Sequence, residues 1–133
     1  MVSENDLRQA TERLVRQFRP DRVILFGSQA RGSADTHSDV DLLVVCPLDS
    51  ERPSRRALMV AMDRALAGLG FASDVIVLTP AEFERDRHIP GTVARPAWQE
   101  GRVLYPSLRQ EGFEPQERLH PPSEEIPRED RSR

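Results

Sequence analysis

The sequence predicts an α/β (α+β) domain: a small mixed sheet of three to four strands flanked by helices. Three features predict it. Short β-branched apolar runs stand at 22–26, 40–45 and 75–78. Segments with apolar residues at helical spacing alternate with them, and Gly, Pro or small polar residues mark the joints.

In the first segment Leu7, Ala10, Leu14, Val15 and Phe18 recur at helical spacing among Arg and Glu, so 6–19 is read as an amphipathic helix that Pro20 ends. RVILF at 22–26 suits a buried strand, and Gly27-Ser28 breaks it. The small polar stretch 28–38 leaves room for a short helix and a loop before the second strand, 40–45. Ala57, Leu58, Ala61, Met62, Ala65, Leu66 and Leu69 predict a helix over 54–69, ended by Gly68 and Gly70. A crossover of that length makes the second and third strands parallel. Pro80 suits a first helical position, so a short helix is expected over 80–86. Residues 91–100 are helix-like, with Pro96 as a break or restart and Trp98 packing its ring on the core. Val103–Tyr105 is the candidate last strand.

At 133 residues the length fits one domain. Most apolar residues precede Tyr105, so the folding unit is assigned to 1–105. Residues 106–133 hold five prolines, seven acids and five arginines. That composition is expected of a disordered tail, or of one that orders on a partner.

A formal net charge of -3 gives no general attraction for nucleic acid, and no direct nucleic-acid binding is expected. All 19 basic residues are arginine, which excludes chemistry that needs a lysine amine. Cys46 is the one cysteine, so no internal disulfide can form; it is read as a buried thiol rather than a nucleophile. The polar first residues and the lack of a membrane-length apolar stretch lead to the expectation of a cytoplasmic protein. His37, His88 and His120 are scattered and read as surface or loop residues.

The chemistry concentrates in acids. Asp39 and Asp41 lie two apart at a strand entrance, so period-2 alternation puts both carboxylates on one face, with Cβ atoms roughly 6–7 Å apart. Their repulsion is relieved by a hard cation, and Mg²⁺ fits. Asp74 stands at the entrance of the third strand and comes beside them if the parallel strands are neighbours; two Mg²⁺ ions then fit between the three acids. The Gly27-Ser28 turn leaves the exit of the first strand, next to the same acids if strands one and two are antiparallel. Glycine lets the backbone approach a phosphate closely, the N–H groups of the following helix start can receive it, and Ser28 adds a hydroxyl. Arg31, one turn on, either reaches phosphate oxygens or pairs with Asp35.

The run VILFGSQARGSADTHSDVDLLVV, from Val23 to Val45, closely resembles the signature of the minimal nucleotidyltransferase family of the polymerase-beta-like superfamily. There Gly-Ser is followed after ten residues by Asp-x-Asp, which is the spacing of Ser28 to Asp39. SDVIVLTP resembles the family's third-acid strand and GTVARPAWQEGRVLY its closing helix and strand, so the likeness covers about residues 5–105; Pro96 is atypical of that closing helix. It implies that Gly27 and Ser28 hold a triphosphate, that Asp39 and Asp41 bind Mg²⁺, and that Asp74 completes the metal site and helps activate an acceptor hydroxyl. The implied reaction is attack on the α-phosphorus with loss of pyrophosphate.

Within the family the short chain favours the antitoxins paired with HEPN-domain RNases. AMP would pass from ATP to a tyrosine of the HEPN toxin, in a hetero-oligomer with it. Two other readings stay open: an antitoxin that neutralises by binding alone, to which Trp98 and the acidic tail are suited, and an aminoglycoside nucleotidyltransferase. Aminoglycoside-modifying relatives generally carry a further helical domain, which a tail of this size is not expected to build.

Overall fold

The computed structural model describes residues 2–32, 39–49 and 54–106. Four strands form one mixed sheet, β1 (Arg22–Phe26), β2 (Val40–Val45), β3 (Ser73–Leu78) and β4 (Arg102–Tyr105), in the order β3-β2-β1-β4. β1 runs antiparallel to both β2 and β4, and β2 runs parallel to β3. The helices are α1 (Glu4–Phe18), α2 (Ser28–Arg31), α3 (Arg55–Leu66), α4 (Pro80–Asp86) and α5 (Ala94–Glu100). None of the described helices is long and apolar enough to cross a membrane. From residue 107 on, the expected tail lies outside the described residues, as does the stretch containing Asp35 and His37.

Strand alternation sorts the core into two layers. Val23 and Leu25 of β1, Val40, Leu42 and Val44 of β2, and Val75 and Val77 of β3 pack with Leu7, Ala10 and Leu14 of α1 and Leu58, Met62 and Leu66 of α3. The intervening residues Ile24, Leu43, Val45 and Leu78 face the other way, onto Phe83 of α4 and Ala94 and Ala97 of α5. Because β1 and β2 are buried on both faces, they read as continuous apolar runs in the sequence. Cys46 is buried at the end of β2, as a small apolar filler would be.

Local signals explain most boundaries. Ser3 accepts from the Asp6 N–H while Asp6 accepts from the Ser3 N–H, a reciprocal cap that starts α1. Thr79 and Glu82 form the same cap on α4, with Pro80 at its first turn. Glu82 also takes Arg55 of α3 at 2.6 Å. Pro96 does not break α5, which runs uninterrupted from Ala94 to Glu100. It occupies the first turn, where a backbone N–H has no intrahelical partner to lose.

β3 begins at Ser73, two residues before the apolar run, because Val40 pairs with Ser73 and Asp41 with Asp74. Pairing with a neighbour extended the strand beyond its apolar core. Trp98 packs on the second layer, edge-on to Phe83 with ring centroids 6.4 Å apart, and the Arg87 guanidinium lies 4.2 Å over its ring.

α5 meets β1 at Gly101. A Cβ there would overlap the Ala97 carbonyl oxygen and stand 2.7 Å from Ile24 Cγ2. We expect Gly101→Ala to destabilise the fold by about 1–3 kcal/mol. Chemical denaturation against the unaltered protein measures it; an unchanged midpoint would show that the α5 end has room to move.

Candidate active site

The antiparallel register sets Phe26, the last residue of β1, opposite Asp41 on β2. The parallel register sets Asp41 opposite Asp74 on β3. One position on β2 therefore joins the end of β1 to the acid of β3. By alternation Asp41, Asp74 and Phe26 share the sheet face that carries Ile24 and Leu43, opposite the α1/α3 layer. Asp39 is exposed just before β2 at the same end of the sheet. Asp74 falls inside β3 as its second residue, at the entrance of that strand and beside Asp41 of the neighbouring β2.

Gly27 makes the turn out of β1 with φ 75°, ψ -158°, a conformation that only glycine adopts readily. A second constraint acts at the same atom: a Cβ on Gly27 would overlap Asp41 Oδ2 and stand 3.2 Å from its Cγ. Missing side-chain volume at 27 is what lets the Asp41 carboxylate lie against the backbone of the turn. Ser28 opens α2, and the Gly27 carbonyl accepts from the N–H groups of Ala30 and Arg31, which closes the turn.

Charge is concentrated here. Burial lifts the Asp41 carboxyl above its ordinary range, and the charges of Asp74 and then Asp39 lift it further, while Arg31 pulls it down. The charges of Asp74, Asp39 and Arg31 thus all reach Asp41 at the start of β2. Among the described residues no three His, Cys, Asp or Glu side chains stand close enough together to form a ready-made cation site. The donor set still suits a hard cation: carboxylate oxygens whose mutual repulsion a divalent charge would remove.

Arg31 Nη1 lies 3.4 Å from Glu100 Oε1 of α5, with both side chains about half exposed. Asp35, the alternative partner in the sequence, lies outside the described residues.

The sequence reading did not single out Asp63 on α3, an exposed residue whose carboxyl is pushed above the ordinary value by desolvation and then by the charge of Asp74. Asp63 occupies a polar position on an amphipathic helix, and no local pattern separates it from a solvated face.

Asp41 carries its charge at a cost in stability. Its folded value is raised above the unfolded 3.8, so the folded state holds the proton more tightly. This contribution therefore favours the fold at or below about pH 3.8 and weakens as pH rises through the folded value. At neutral pH, without divalent ions, Asp41→Asn should raise Tm by about 2–4 °C, on the order of 0.5 kcal/mol after solvent screening. Scanning calorimetry at pH 4 and pH 7.5 tests it, with the gain shrinking at the lower pH; a lower Tm for the variant at pH 7.5 would contradict the electrostatic account.

Comparison with known proteins places the chain. The model of the nucleotidyltransferase domain family matches residues 7–105, which hold the whole sheet and every candidate residue named above. No curated protein matches the chain. Among solved structures, one similar to it is a candidate nucleotidyltransferase from Sulfolobus solfataricus, with 23% identity and TM-score 0.49, covering 74% of this chain and 76% of that one. Another is a toxin-antitoxin crystallised with AMP-PNP, with 21% identity and TM-score 0.47, covering 79% of this chain and 77% of that one. With its mixed sheet, its glycine turn and its paired strand acids, the chain belongs to the nucleotidyltransferase domain family.

Proposed function

We propose that this nucleotidyltransferase is a Mg²⁺-dependent protein adenylyltransferase that moves AMP from ATP to a tyrosine hydroxyl of a HEPN-domain RNase, and so acts as that toxin's antitoxin. The observation that carries the catalytic part is the double register of Asp41, opposite Phe26 on one side and Asp74 on the other. It sets a turn suited to phosphate beside a pair of carboxylates suited to divalent ions. The acceptor is inferred from the likeness of Val23–Val45 to the minimal nucleotidyltransferases, and AMP and ATP belong to the same inference.

In this reading Gly27 and Ser28 receive the triphosphate. The absent Cβ admits a phosphate to the backbone, and the Ser28 hydroxyl donates to a phosphate oxygen. Asp39, Asp41 and Asp74 would hold Mg²⁺, which when bound neutralises the triphosphate and favours in-line displacement. Asp74 stands on the edge strand and is exposed, so it can accept the proton of an incoming hydroxyl. The hydroxyl oxygen bonds to the α-phosphorus as the bond to the bridging oxygen breaks, and pyrophosphate leaves with that oxygen. Arg31, whose charge tempers that of Asp41, would meet phosphate oxygens in this reading.

The test mixes the protein with the product of the neighbouring gene, Mg²⁺ and each of the four triphosphates, then weighs the proteins. A gain of one AMP on a tyrosine of the partner is expected with ATP. Asp39→Asn with Asp41→Asn should lower the transfer by at least about 100-fold and abolish neutralisation of the toxin. Neutralisation that survives the double substitution at normal expression would reject catalysis and leave binding alone as the mechanism. Pyrophosphate release that depends on an aminoglycoside, and not on the partner, would reassign the acceptor.

A further inference from the structure

The Arg31–Glu100 pair joins the helix after the glycine turn to the end of α5, and its two partners are held with unequal firmness. Glu100 is the last residue of α5, and Gly101 seats that helix end against Ala97 and Ile24 with no space for a methyl group. Trp98, two residues earlier, is packed against Phe83 and covered by Arg87. The acid is thus presented from a fixed helix end. Arg31 ends the four-residue α2, just before a left-handed Gly32, and carries its guanidinium on a long stem. It is paired with Glu100, and its charge also reaches Asp41.

The contact itself is weak. It involves one nitrogen and one oxygen at 3.4 Å, with both side chains about half in solvent. A triphosphate on the Gly27-Ser28 turn would offer the guanidinium several charged oxygens in place of one, and two-pronged contact with phosphate is the geometry Arg favours. We infer that Glu100 is a positioning residue that holds Arg31 aside in the empty enzyme and yields it to an arriving triphosphate, so that this acid lowers the affinity for the nucleotide. The inference rests on the triphosphate reading of the Gly27-Ser28 turn and adds to it a residue outside the strand motifs.

The experiment is titration calorimetry of ATP into the full-length protein with Mg²⁺ present. Glu100→Gln keeps the side-chain size and removes the charge, and it should tighten ATP binding by about 2- to 5-fold, the range expected of an exposed ion pair. In an Arg31→Gln background the same substitution should give no gain, because no guanidinium remains to be released. Glu4→Gln removes an exposed charge that pairs with Arg102 instead, and it should leave ATP affinity unchanged. ATP binding that is unaltered or weaker in Glu100→Gln overturns the inference alone. An equal gain in the Arg31→Gln background, or in Glu4→Gln, also overturns it, since simple charge repulsion would then suffice. Failure of the unaltered protein to bind ATP would overturn the triphosphate reading and the role of Glu100 together.

Discussion

The approach of the Asp41 carboxylate to the backbone of Gly27 is the constraint on which the rest of the site depends. It requires β1 and β2 to pair in one register, since sliding β2 by one residue would turn Asp41 into the α1/α3 layer and sliding β1 would move Gly27 away from it. The register is enforced by burial on both faces: Val23, Leu25, Leu42 and Val44 have one layer to fill, and Ile24, Leu43 and Val45 the other. The polar end of β2 is therefore placed by the apolar remainder of the same strand. Packing energy distributed over the core fixes the position of a charged atom at its rim.

Much of this was legible in the residues. The strands announced themselves as β-branched runs and the breaks as glycine or proline, and Asp41 and Asp74 stand at the strand entrances where the residues put them. What was not legible arose from tertiary contact. The early start of β3 depends on its pairing with β2, and Ser73 and Asp74 have no strand preference of their own. Pro96 was ambiguous because its effect depends on where a helix begins, and Val93 carries no side-chain cap to mark that point. Asp63 and Glu100 have charged side chains on helices, and their relation to Asp74 and Arg31 appears only when distant segments meet.

The two helical layers also meet the ends of the sheet differently. Where β2 and β3 end, Glu82 caps α4 through the Thr79 N–H and grips Arg55 of α3 at 2.6 Å, so one carboxylate ties both layers across the sheet edge. At the opposite end, where the acids gather, the contact between α2 and α5 is the long Arg31–Glu100 pair. The frame is thus tied by a short ion pair at one end of the sheet and by a longer, more exposed one at the other.

The strand order has a consequence for solubility. β3 is an edge strand among the described residues, so one side of its backbone has no sheet neighbour. An open edge with an apolar sequence such as Val-Ile-Val-Leu invites a further strand from another molecule. Asp74 sits near the start of that run and is exposed. A charged side chain in that position hinders stacking of one copy on the next, so the same carboxylate can guard against aggregation. Exchanging it for an apolar residue would remove an acid from the site and also uncover an adhesive border.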